Sequence, residues 1–150
     1  MRFLTALMLV LILECAFGLT TASAERLVLV TSANTNLPAL TNVEVRRLFL
    51  GKPLVKDGVR IEGLRNTSDE LLQEVFLQKV VFMSVRAYER QLLSNVFREG
   101  GERPADYKEV NQLLNALQEK YGTLTYMWAN VAQATPGVKI IGELWEGSLQ

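Results

Sequence analysis

The spacing of apolar and polar positions changes several times along the chain, and each change marks a predicted element. Behind Arg2, Phe3 to Leu13 is an almost unbroken apolar run. Arg26 to Thr31, RLVLVT, is an apolar run of strand length, consistent with a buried strand. Ser32 to Leu40 is loop-like in composition. Thr41 and Glu44 then stand as a T-x-x-E capping box, with Leu40 and Val45 at the two staple positions. Val45, Leu48 and Phe49 give that helix its apolar face, and Gly51 is a natural stop. Asp57-Gly58, between Leu54-Val55 and Val59-Arg60-Ile61, predicts a hairpin. Its second strand places Val59, Ile61 and Gly63 on one side and Arg60, Glu62 and Leu64 on the other.

The middle of the chain reads as helical. Thr67 and Glu70 form a second T-x-x-E pattern, followed at helical spacing by Leu72, Val75, Phe76, Val80 and Met83. Ser84 breaks or recaps the helix, and Val85, Tyr88, Leu92 and Val96 continue an apolar face. Arg98 to Pro104, REGGERP, is a loop. Asp106 and Glu109 are candidate caps for a further helix with Val110, Leu113, Leu114, Leu117 and Tyr121 on its face. Thr123 to Trp128 and Val138 to Ile141 are β-rich, with Pro136-Gly137 as the turn before the last strand. The order β-α-β-β-α-α-α-β-β predicts an α/β fold, a mixed β-sheet flanked by helices.

Composition narrows the chemistry. The 150 residues hold 16 Lys and Arg, 16 Asp and Glu, one Cys and no His. Without His the commonest general base and the commonest zinc ligand are missing. Residues 1–24 read as a secretory signal peptide, with Arg2 as its basic start and Ala22-Ser23-Ala24 as the cleavage site. The alternative is an uncleaved signal anchor. Removal of the leader takes Cys15 with it and leaves residues 25–150 as a single domain, not membrane-spanning and free of thiol chemistry or a disulfide. A net charge of zero argues against nucleic acid as a partner. G-x-S-x-G, Walker A and G-x-G-x-x-G motifs are absent, and no paired carboxylates stand out. We therefore expect no enzyme, no catalytic residue, no metal and no cofactor.

Five segments, in order, carry a family resemblance. Leu48-Phe49-Leu50-Gly51-Lys52 followed by Asp57-Gly58 is similar to an IFLGK…W-x-DG helix and hairpin. Arg65 with a polar loop and Glu74-Val75-Phe76, then Val96 to Gly101 with Pro104, are the second and third. Tyr121 to Tyr126, similar to PGAIGY, and Val138 to Ile141 are the fourth and fifth. Over residues 26–142 the chain resembles PstS-like phosphate-binding proteins of ABC importers, a branch of the type II periplasmic binding proteins. The resemblance covers one lobe of their two. The glycine of the family's Ser-Gly-Thr loop is absent at 65–70, and Thr125 replaces a glycine of the PGAIGY stretch. The resemblance implies a periplasmic location, a solute-binding-type role, inorganic phosphate or a related oxyanion as ligand, and an ABC importer or periplasmic sensor domain as partner.

The candidate site is Arg65, Asn66, Thr67 and Ser68. A helix start offers free N–H groups, Thr67 and Ser68 add hydroxyls, and a guanidinium pairs with phosphate in a fork. The competing reading is that Thr67 and Glu70 only cap the helix, with Asp69 and Glu70 repelling an anion. Arg46, Arg47, Lys52, Lys56, Arg60 and Arg65 form a basic stretch that steers an anion or is a solvated face. Gly100-Gly101 admits a close approach to a ligand or is an ordinary turn. Tyr126, Trp128 and Trp145 offer an aromatic patch, or core. A chain with one lobe leaves an anion open to water, which keeps a ligand-free protein-interaction module as the alternative function.

Overall fold

A computed structural model describes residues 23–149. The leader expected over 1–24, Cys15 included, falls almost wholly outside the described residues. Strand β1 (Glu25–Ser32) leads through a loop into helix α1 (Asn42–Phe49). The hairpin β2 (Leu54–Lys56) and β3 (Val59–Gly63) follows, then a short strand β4 (Arg65–Asn66). Helix α2 (Glu70–Phe76) runs on as a π-helical turn, Leu77–Val81. Helix α3 (Val85–Glu99), strand β5 (Asp106–Tyr107) and helix α4 (Val110–Glu119) complete the middle. Strand β6 (Thr123–Trp128), helix α5 (Ala129–Ala134) and strand β7 (Val138–Gly147) close the chain.

The strands β2-β3-β6-β1-β7 form one sheet. Only β3 and β6 run parallel within it; β1 is antiparallel to both β6 and β7. A separate parallel pair joins β4 to β5. The apolar run of β1 is explained by cover on both faces. Leu27 and Leu29 enter a cluster with Phe49, Phe76, Tyr88, Leu92 and Tyr126, built from α1 to α3. Val28 and Val30 enter a second cluster with Leu113, Leu117 and Ala132, built from α4 and α5. Alternate side chains of an extended strand point to opposite faces, so one run feeds two cores. At the centre of the first core the Phe76 and Tyr126 rings stack at 3.7 Å, and Phe49 meets both edge-on.

Several expectations are met. The Thr41–Glu44 capping box forms in both directions. Asp57 and Gly58 both take positive φ, 50° and 75°, as a tight hairpin turn needs. Ser84 caps α3 by accepting from the Ala87 N–H. Tyr126 is buried and Trp128 and Trp145 pack against the same cluster, so these rings are core rather than an open patch.

Other expectations are corrected. The strands β4 and β5 and helix α5 were not anticipated, and β7 extends to Gly147. Asp106 lies in β5 instead of capping α4, and Glu109 precedes α4 without a side-chain cap bond. Val85, Val110 and Tyr121, expected on buried faces, are exposed. The middle helix ends at Phe82, which takes φ 61° while the Met83 N–H bonds the Leu77 carbonyl. That closure spans one residue more than the usual six-to-one bond, as the preceding π turn requires, with Phe82 in the left-handed position usually taken by glycine. Gly101 is explained by backbone packing, not by a ligand: a Cβ there would lie 2.4 Å from the Gly51 carbonyl oxygen.

Candidate functional site

Arg65 to Ser68 leave the end of β3 and cross to the start of α2. Backbone bonds hold the crossing on one side: the Arg65 N–H donates to Ala105 O at 2.8 Å and the Thr67 N–H to Tyr107 O at 3.0 Å. From the sheet, the Leu64 N–H donates to Leu124 O and the Thr125 hydroxyl to Leu64 O. Thr125 therefore ties β6 to this segment.

The side chains are largely satisfied within the protein. Arg65 has only 4% of its side chain exposed, with Nη2 2.7 Å from Glu89 Oε1. Its guanidinium carbon lies 5.1 Å from the Tyr88 ring centre. The other Glu89 oxygen takes Arg103 Nη2 at 2.5 Å, so one carboxylate serves two arginines. Asn66 donates to Tyr126 O at 3.1 Å and accepts from the Ser68 hydroxyl at 2.6 Å. Thr67 donates to Asp106, with Tyr107 O also near.

The second capping box is not formed. Thr67 is drawn to Asp106, across the β4–β5 pair. Asp69 caps α2 in its place, accepting from the Leu72 N–H at 3.1 Å. The other Asp69 oxygen takes the Trp128 indole N–H at 3.1 Å. The segment thus engages three separate carboxylates: Glu89 at Arg65, Asp106 at Thr67 and Asp69 at the start of α2. One polar atom stands out: Arg65 Nη1 is buried and has no hydrogen-bond partner among the described residues.

Sequence reasoning placed Arg65 to Ser68 together with Asp69 as a repelling charge, but missed Glu89 and Arg103, the capping role of Asp69, and the place of Asp106, which it read as a helix cap. Asp69 was visible in principle, since Asp is among the best N-cap residues. Glu89 had only a general signal: an Arg next to the sheet needs a counter-charge.

Burial pushes the Tyr88 and Tyr126 hydroxyls far above the ordinary value of 10. Tyr88 also donates to Phe49 O at 2.5 Å. Among the described residues no group of three His, Cys, Asp or Glu is gathered to hold a metal, and no helix is long and apolar enough to cross a membrane.

The basic stretch resolves mostly into ion pairs. Lys56 meets Glu44 at 2.9 Å, Lys52 meets Glu99 at 3.5 Å and Arg60 meets Glu102 at 3.1 Å. Lys52, Arg60 and Arg103 line an open groove of about 430 Å³ beside Gly51, Gly63 and Pro104. Each of these cations already has a carboxylate partner.

The fold has counterparts among solved structures. The chain is similar to an ABC-type phosphate transport receptor from Vibrio cholerae, with a TM-score of 0.55 and 8% identity over 80% of this chain and 46% of that one. It is similar to PstS from Borrelia burgdorferi, with a TM-score of 0.53 and 12% identity over 80% of this chain and 47% of that one. A possible phosphate binding protein from Planctomyces limnophilus gives 0.51 and 13% identity, over 80% and 42%. The chain therefore spans under half the length of each of these structures. No family model matches the chain, and no curated protein does. At such identities the likeness shows the fold alone: mixed α/β, matching one lobe of the periplasmic binding protein fold.

Proposed function

We propose that this chain is an exported, non-enzymatic lobe of the solute-binding type that works by docking on another protein, without enclosing an oxyanion. A leader over 1–24, a single domain over 25–150 and a periplasmic location belong to this reading. The partner is a periplasmic sensor domain or a component of an ABC importer. One observation carries it: the guanidinium expected to grip an anion is buried and held by Glu89. The nearby donors of Thr67, Ser68 and the first turn of α2 are taken by Asp106, Asn66 and Asp69. An anion approaching this loop meets carboxylates first. The solved structures that share the fold are about twice as long, and the chain spans 42% to 47% of each.

A second reading keeps phosphate, or a related oxyanion, as ligand at Arg65, Asn66, Thr67 and Ser68. It is favoured by the unpartnered Arg65 Nη1 and by the phosphate receptors among the fold's counterparts. Melting curves with millimolar phosphate and sulfate separate the two, because a ligand of the native state raises the melting temperature by mass action. Docking without an anion expects no shift with either. A phosphate shift that disappears in Arg65→Met would replace the docking reading with the oxyanion one.

A further inference from the structure

Helix α3 turns Tyr88, Leu92 and Asn95 into the protein. At about 100° per residue, Arg86, Arg90, Leu93 and Phe97 fall on one outward stripe, with successive steps of 4, 3 and 4 positions. All are exposed, Phe97 at 83% and Leu93 at 51%. This is the spacing with which one helix seats against another. Neither Arg86 nor Arg90 makes an ion pair among the described residues. Glu89, the acid at the edge of the stripe, is held by Arg65 and Arg103.

The same chain carries the complement. Glu70, Leu71 and Glu74 are exposed on α2, and Leu71 is 48% exposed. Neither glutamate makes an ion pair among the described residues; Glu74 only accepts from the Gln78 amide. Glu70 and Glu74 lie about 6 Å apart along their helix, as do Arg86 and Arg90 along theirs.

We propose that the α3 stripe is covered by α2 of a second copy of this chain. Arg86 and Arg90 meet the partner's Glu74 and Glu70, the partner's Leu71 packs between them against the arginine stems, and Leu93 and Phe97 shield the end of the contact. Two observations select a second copy. The opposed charges sit at matched spacing on one polypeptide, and a formal net charge of zero leaves no long-range repulsion between copies. A contact of two helices is below the size of a permanent interface, so the association is weak and reversible. Because charge pairs supply part of it, added salt weakens it. The contact joins unlike surfaces, and it closes into a dimer only where both copies engage reciprocally. This inference stands apart from the docking and oxyanion readings, since it uses no residue of the 65–68 segment.

Sedimentation of the full chain at rising concentration, in low and high salt, tests it. The expected result is self-association at low salt that is lost at high salt. Arg86→Glu with Arg90→Glu, and separately Glu70→Lys with Glu74→Lys, should each weaken association by at least about tenfold. Mixing the two double variants should restore it, because each then finds an opposite face. Leu93→Ser weakens it without changing charge, and circular dichroism confirms that every variant is folded. A wild-type chain that stays monomeric throughout overturns the proposal. So do double variants that associate as the wild type does, or a mixture that fails to recover. A monomer that instead co-sediments with phosphatidylglycerol vesicles assigns the stripe to a membrane surface and also overturns it.

Discussion

The start of α1 and the start of α2 share a spacing of Thr and Glu, yet different forces hold them. At the start of α1, Thr41 and Glu44 bond to each other through backbone and side chain, and Glu44 also takes the Lys56 ammonium, on the protein's surface. Ahead of α2, Thr67 leaves its helix for Asp106, Ser68 bonds Asn66, and Asp69 bridges the helix to Trp128. The first segment is a local device that any exposed helix could carry. The second is a junction where the sheet, the β4–β5 pair and two helices meet. A local motif prevails where nothing distant competes for its atoms, and yields where the fold brings better partners.

The largest test of this contrast is at Glu89. If the 65–69 junction rests on distant partners, Glu89→Ala leaves the Arg65 guanidinium buried without its counter-charge. Breaking a buried pair from one side costs about 3 to 5 kcal/mol, and the partial exposure of Glu89 places it near the lower figure. Arg65→Met should cost far less, about 1 kcal/mol, because Glu89 keeps Arg103 and a methionine suits the apolar surroundings. Urea unfolding of both variants reads this directly. Equal losses would mean that the pair is not what holds the junction.

The two helix starts can then be set against each other. Asp69→Ala removes both the acceptor for the Leu72 N–H and the partner of the Trp128 indole, and should cost about 2 kcal/mol. Thr41→Ala removes one cap bond and should cost about 1 kcal/mol. The order is the prediction: a Thr41 variant less stable than the Asp69 variant would return α2 to ordinary local capping.

This ordering also explains what the amino-acid pattern could and could not convey. The α1 box, the Asp57-Gly58 turn and the Ser84 cap are set by neighbours in the chain, and the β1 run declares its burial by its own apolar residues; all are readable from it. The bonds from Arg65 to Glu89 and from Thr67 to Asp106 join residues 24 and 39 positions apart. Their identity follows from the fold, and several carboxylates would have served equally well in a list of residues. The strands β4 and β5 are only two residues each, too short to show a period. The candidate loop was found because its residue types suit an anion. That its atoms are already engaged was visible only in three dimensions.

The smallest effect is also the most specific to the α1 side. The Thr41 backbone N–H, chiefly, and the Lys56 ammonium hold the Glu44 carboxyl below the ordinary glutamate value of 4.5. A carboxyl whose folded pKa is lowered binds its proton more readily in the unfolded chain. Its contribution is complete above the ordinary value and disappears as pH falls through the lower folded one. Stability measured from neutral to acid pH should therefore fall less steeply over that window in Glu44→Gln than in the wild type. Thr41→Ala should keep part of the wild-type slope, because the Thr41 backbone N–H and Lys56 survive the substitution. Glu70→Gln is the control, since Glu70 returns no bond to Thr67 and its removal disturbs no cap. If Glu44→Gln leaves the acid slope unchanged, the reciprocal box seen at α1 has no energetic consequence, and the contrast between the two helix starts reduces to geometry.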